Sequence, residues 1–218
     1  MPIFECARCN EMTYSASMGA VTACERCGSE WQRGIEGDFD QARRRIRTLG
    51  AGDHATITYD DPAKVASFCA RFVTDGINSG ERVVTGLQPD LREAVAGLLE
   101  PEVELAVEWE HPRSIYGDFD ADQGAATYEE LIADEGRTTR ILAGLDEESA
   151  EGVDPDELAR YEAQAHEIII RHGAIVVCVF DARSLPPEFL DVAGRYHGLE
   201  VGEDGGVRRS ERFQYQPV

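Results

Sequence analysis

From residue 54 onward, apolar positions along the chain switch repeatedly between a strand period and a helix period. "HATITY" (54–59) reads as a buried strand, and "PAKVASFCARFVTDGI" (62–77) spaces its apolar residues as an amphipathic helix does. "ERVVTGL" (81–87) predicts a second strand, "DLREAVAGLLE" (90–100) a helix capped by Asp90, and "VELAVEWE" (103–110) a third strand. "ATYEELIADEG" (126–136) predicts a helix ending near Gly136, and "TTRILAGL" (138–145) a fourth strand. The clearest helix is "DPDELARYEAQAHEIIIRHG" (154–173), with Asp154 as cap, Pro155 in the first turn and Gly173 past the end. Its apolar stripe runs through Leu158, Tyr161, Ala165, Ile168 and Ile169. "AIVVCVFD" (174–181) is a nearly unbroken apolar run, as in a strand covered on both faces, and "PPEFLDVAGRYH" predicts a last helix. Residues 111–125 read as a loop that could act as a lid, and the carboxyl-terminal segment reads as a polar tail, frayed or docked on a partner.

Strands alternating with helices predict an α/β layered fold with a largely parallel sheet. Ligands of such sheets sit at the carboxyl ends of the strands, here near Tyr59, Asp60, Gly86, Glu110, His111, Asp146 and Asp181. In a P-loop protein, the turn between the first strand and helix is glycine-rich and ends in Gly-Lys-Ser or Gly-Lys-Thr. Here it is Asp60-Asp61-Pro62. Lys64, one turn into the helix with no glycines before it, is a poor substitute for the phosphate-binding lysine.

Charge sharpens this picture. The formal net charge is -21. Residues 1–50 hold seven basic and seven acidic side chains, against fourteen and thirty-five in residues 51–218, so the whole excess lies in the α/β part. A domain this acidic repels phosphate backbones and anionic membranes. Lys64 is the one lysine beside 20 arginines, a genomic bias without catalytic meaning. The start "MPIFECARC" has neither a basic n-region nor an apolar h-region, and the longest apolar runs are strand-sized, so a cytoplasmic protein is expected.

Ahead of the α/β part, Cys6, Cys9, Cys24 and Cys27 form C-x2-C-x14-C-x2-C. Two such knuckles brought together by a hairpin present four thiolates to one tetrahedral ion, with structural zinc the expected occupant. Gly28 follows the second knuckle, where a positive φ is often needed, and Phe4, Tyr14 and Trp31 can cover the site. Two disulfides or a rubredoxin-like iron are the alternatives. The organisation expected is a zinc ribbon over 1–32, an Arg-rich linker over 33–50, the α/β domain over 51–204 and a polar tail over 205–218. The linker run Arg43, Arg44, Arg45 and Arg47 is either a phosphate contact or a helix pairing with the acidic domain.

Several strings in the α/β part carry a resemblance. "LGAGDHATITYDD", the "RYEAQ" helix and the "VVCVFDARSLPPEFL" strand-to-helix step resemble the MEDS domain, a sensory module named for methanogens, methylotrophs and a dichloromethane-responsive regulator. The likeness spans roughly residues 49–202. It implies a RecA/KaiC-like α/β fold that has lost its Walker A loop and senses a ligand in signalling. It carries over Asp53, His54, Tyr59, Tyr161, Glu162, Cys178 and Asp181. Of these, Asp53, His54, Tyr59, Glu162 and Asp181 are the ligand-contact candidates. "AGLDEES" departs from the family, whose fourth strand tends to end in Gly-Glu and an aromatic, and "LEVGEDGG" makes a weak closing strand.

Each candidate also has a plainer role. His54 suits a hydrogen bond at a strand edge, Asp181 a turn, and Glu162 with His166 a surface ion pair four residues apart. Cys69 and Cys178 suit small core hydrophobes. "DFDAD" (118–122) reads as a solvated loop. Three functions follow. One is a signalling protein whose α/β domain senses a small molecule or a partner and whose ribbon docks or relays. Another is a RecA-like nucleotide-binding enzyme with a degenerate phosphate loop. A third is a zinc-ribbon transcriptional regulator that binds nucleic acid through the ribbon and Arg43–Arg47. The first fits best, with a binding role and no chemistry expected. A protein partner in signalling and a homodimer both remain open.

Overall fold

The computed structural model describes residues 2–6, 8, 12–14, 23–24, 27–29, 31–36, 48–116, 121–133, 136–202 and 204–214. Among these, the strands form two sheets. The first is small: β1 (Pro2–Cys6) pairs antiparallel with β2 (Met12–Tyr14) and with β3 (Trp31–Glu36). The second has seven strands, β4 (His54–Tyr59), β5 (Arg82–Gly86), β6 (Glu108–Trp109), β7 (Thr139–Leu145), β8 (Ile175–Asp181), β9 (Leu199–Val201) and β10 (Val207–Arg209). Their order is β10-β9-β4-β8-β7-β5-β6, parallel throughout except for the β9–β10 edge.

Helices cover both faces. On one lie α1 (Pro62–Asn78) and α2 (Pro89–Ala96), packed on Ala55, Ile57, Tyr59, Val177 and Val179. On the other lie α5 (Ala121–Ile132), α6 (Pro155–His172) and α7 (Pro187–Tyr196), packed on Ile141, Val176, Cys178 and Phe180. Side chains alternate along a strand, so β4 sends Ala55, Ile57 and Tyr59 to the first face and His54 and Thr56 to the second. The fold is the α/β layered sheet without a Walker A loop that the resemblance implied.

Most element ends follow local chemistry. Asp61 caps α1 by accepting from the Ala63 N–H, and Pro62 opens the helix. Asp154 caps α6 in the same way, and Gly173 closes it in the left-handed region at φ 66°. Two expectations fail. The strand expected over 103–110 is mostly helix: α3 (Pro101–Ala106) starts at a proline, and only Glu108 and Trp109 pair with β5. Val103, Leu105 and Val107 alternate as a strand would, but the sheet edge needs only two residues there. The loop expected over 111–125 contains α4 (Pro112–Tyr116), whose Ile115 and Tyr116 are buried, and the start of α5.

The segment read as a polar tail is partly sheet. β10 folds back on β9, Arg212 pairs with Asp191, and the Gln214 N–H donates to the Arg195 carbonyl. Cys9, the run Arg43, Arg44, Arg45 and Arg47, most of "DFDAD", and residues 215–218 lie outside the described residues, as do the side chains of Tyr14 and Trp31. Among the described residues, no helix is long and apolar enough to cross a membrane.

Candidate functional site

The five ligand-contact candidates do not form one site. Asp53 stabilises the turn before β4, its carboxylate accepting from the Gly50 N–H at 2.8 Å. Tyr59 and Asp181 end the paired strands β4 and β8 at the carboxyl edge of the sheet. There Arg183, which the sequence reading did not anticipate, donates to Asp181 at 2.6 Å and to Asp90 at 2.7 Å, and lies over the Tyr59 ring. Burial pushes the Asp181 carboxyl up, but the Arg183 side-chain and backbone hydrogen bonds outweigh it and hold the group below the usual carboxylate range. Burial and the Asp181 charge push the Tyr59 phenol well up. The edge where a phosphate would lie is satisfied internally: Asp61 occupies the α1 N-terminus, and Asp60 pairs with Lys64 at 2.8 Å.

His54 and Glu162 meet elsewhere, beneath the opposite face and near the other end of β4, about 17 Å of strand from Tyr59. Cys178 of β8 and His197, just past α7, join them. The four are 2% (His54), 1% (Glu162), 3% (Cys178) and 0% (His197) exposed. His54 Nε2 and His197 Nε2 each stand 3.6 Å from Glu162 Oε2, and His54 Nε2 stands 3.5 Å from Cys178 Sγ. One ligand atom from each side chain lies within 4.8 Å of all the others. The surface pair expected between Glu162 and His166 does not form. Both side chains are buried on the inner stripe of α6, and Glu162 points at the other two histidines.

Three tyrosines roof the cluster. Tyr161 packs with Tyr116 and Tyr128 at centroid distances of 5.7 and 6.0 Å, and all three are buried. Gly124 of α5 makes room: a Cβ there would come within 3.0 Å of the Tyr161 ring. The His54 ring lies 4.0 Å from that of His197 and 5.6 Å from that of His166.

Burial presses the side chains of the cluster toward neutrality. Burial alone pushes the Glu162 carboxyl up to about 8. Burial lowers His197 to about 3, and burial with the neighbouring imidazoles depresses His54 well below its ordinary value. Burial and the Glu162 charge raise the Cys178 thiol well above its ordinary value. Among the described residues, neither Glu162 oxygen nor His197 Nε2 has a hydrogen-bond partner. Such buried, unsatisfied atoms cost about 1–3 kcal/mol each. Four donor-type atoms converge on one buried point, and among the described residues the His54–Cys178 contact is the one hydrogen bond between them.

A second convergence lies in the small sheet. Cys6, Cys24 and Cys27 bring their sulfurs together, with Cys6 and Cys27 3.4 Å apart, and this group could hold a metal. Gly28 adopts the positive φ expected, 75°, and its N–H donates to the Cys24 carbonyl at 2.8 Å, closing the knuckle.

The two places touch. His166 Nε2 lies 2.8 Å from the Arg8 carbonyl oxygen, and the Arg8 guanidinium reaches Glu167 at 3.0 and 2.5 Å. Arg8, just past β1, therefore contacts α6 one turn beyond Glu162.

A family model for the methanogen/methylotroph, DcmR sensory domain, MEDS, matches residues 53–198. The chain belongs to this family. The matched span runs from Asp53, just before β4, to Gly198, and so contains all four cluster residues. No curated protein matches the chain. Among solved structures, the crystal structure of the RadB recombinase is similar at 14% identity and a TM-score of 0.46, over 70% of this chain and 74% of that one.

Sequence reasoning reached His54, Glu162 and Cys178 through the MEDS strings, gave Cys178 a packing role in place of a ligand contact, and missed His197. The available signal was Glu162 itself, which falls between Leu158 and Ala165 on the buried stripe of α6. A carboxylate there requires buried partners. His197 follows its helix in "GRYHGL", where nothing local sets it apart.

Proposed function

We propose that this MEDS protein is a signal-transduction or regulatory protein. Its α/β domain takes a small ligand at the His54–Glu162–Cys178–His197 cluster, and its amino-terminal ribbon, holding zinc through Cys6, Cys9, Cys24 and Cys27, relays the state of that cluster to a protein partner. It binds and performs no chemistry on what it binds. One observation carries the reading: α6 presents Glu162 to the buried cluster and, one turn later, His166 and Glu167 to the ribbon. A shift of α6 by a fraction of an ångström at Glu162 cannot leave the Arg8 contacts unchanged, because a packed helix moves as a unit.

The test is hydrogen exchange on the full chain. Glu162→Gln should raise exchange at residues 2–6, while Ile168→Val, a packing change on the same helix, should leave those amides as they are. Equal exchange at residues 2–6 in the wild type and Glu162→Gln would remove the relay from this reading.

A further inference from the structure

We propose that the buried cluster is a metal centre, in which His54 Nε2, Glu162 Oε2, Cys178 Sγ and His197 Nε2 hold one first-row transition-metal ion, zinc being the first candidate. This deepens the sensory reading and rests on it for treating the cluster as the ligand site. The ion would be a second one, separate from the ribbon.

The distances favour it. Side chains hydrogen-bonded to one another close to about 2.7–3.2 Å. Side chains around a tetrahedral ion, with bonds of about 2.0–2.1 Å to nitrogen and oxygen and about 2.3 Å to sulfur, stand roughly 3.3–3.6 Å apart. The two histidine–carboxylate contacts, both 3.6 Å, are too long for the first arrangement and right for the second, while the His54–Cys178 contact, at 3.5 Å, suits a sulfur hydrogen bond and a shared ion equally.

Charge and second contacts agree. A dication with one carboxylate, one thiolate and two neutral imidazoles sums to zero, the one state a dry core accepts without a counterion. Metal-bound histidines characteristically donate their other ring N–H to a carbonyl or carboxylate. His197 Nδ1 lies 2.8 Å from the buried Ala193 carbonyl, which leaves its unpartnered Nε2 facing the cluster. His54 has no such anchor on Nδ1, and its orientation comes from the rings of His197 and His166. Two nitrogens, one sulfur and one oxygen suit zinc, cobalt, iron or nickel and disfavour calcium and magnesium, which want oxygen shells.

The full chain, expressed with zinc or with cobalt, is assayed for metal per chain and for cobalt–thiolate absorption. Wild type should carry one more ion than Cys178→Ala or His197→Ala, while Cys69→Ala, a buried cysteine outside the cluster, should match wild type. Should the cluster variants fail to fold, Cys6→Ser with Cys24→Ser in one chain keeps the question open to measurement. That variant should retain a single ion, whose X-ray absorption shows one sulfur among nitrogen and oxygen neighbours. Equal metal content in wild type and Cys178→Ala, or no ion in the ribbon variant, overturns the metal centre. Either result would leave the sensory reading standing if residues 2–6 still respond to Glu162→Gln. A bound second ion with those residues unresponsive would keep the metal and remove the relay.

Discussion

His197 Nε2 stands 3.6 Å from Glu162 Oε2, and neither atom has a hydrogen-bond partner among the described residues. Replacing a buried, unsatisfied polar group by an apolar one of similar shape is neutral or stabilising, whereas removing a ligand from an occupied metal site is costly. Glu162→Met should therefore raise the unfolding free energy in the presence of chelator by about 1–3 kcal/mol. In excess zinc the order should reverse, because only the wild type gains from binding. Urea melts of both proteins under both conditions measure this directly; the same order in both would contradict it.

At the carboxyl edge, Arg183 keeps the Asp181 carboxyl below the usual range, so the stability from this contact is fully present above the carboxylate's ordinary pKa. It is lost as pH falls through the lowered folded value. Arg183→Ala should cost up to about 1 kcal/mol at neutral pH, a modest figure because the guanidinium is half exposed and screened. The variant and wild type should converge once the pH falls below the lowered folded pKa of Asp181. Denaturation midpoints measured from pH 7 to pH 2 give the two curves.

Gly144 faces Gln88. A Cβ at Gly144 would come within 2.5 Å of Gln88 Oε1, and Gln88 is itself buried. Gly144→Ala should destabilise the chain by about 1–3 kcal/mol, the usual cost of overpacking, without altering metal content. A melt and a metal assay on one preparation separate the two effects.

For the ribbon, Cys24→Ser should lower metal content by one ion and raise hydrogen exchange across residues 2–6 and 31–36, while β4, β7 and β8 remain protected. A small sheet without a core of its own depends on its ion, and the seven-stranded sheet does not. Exchange mapped by peptide resolves the two sheets.

What the sequence revealed depended on how local the determinant was. α6 was legible to the residue because Asp154, Pro155 and Gly173 mark its ends and its stripe is regular. β4, β7 and β8 were legible because central parallel strands are apolar on both faces. Residues 101–110 were not, since a proline-started helix and a short edge strand share the same alternating apolar positions. The site was half legible. His54 and Glu162 belong to recognisable strings, but bringing them to Cys178 and His197 takes the β4–β8 pairing and the packing of α6 and α7, which no local pattern encodes. Arg183 was missed for the same reason: its two carboxylate partners, Asp90 and Asp181, are 91 residues apart in the chain.

The depth of the cluster has a kinetic consequence. With all four side chains at most 3% exposed under a roof of tyrosines, an occupant can enter or leave only when α5 or α6 lifts. Exchange then runs at the rate of that opening, and raising the concentration outside ceases to speed it. In the sensory role proposed above, a site built this way would average over brief fluctuations and hold its last reading after the supply falls, so the output would follow sustained exposure.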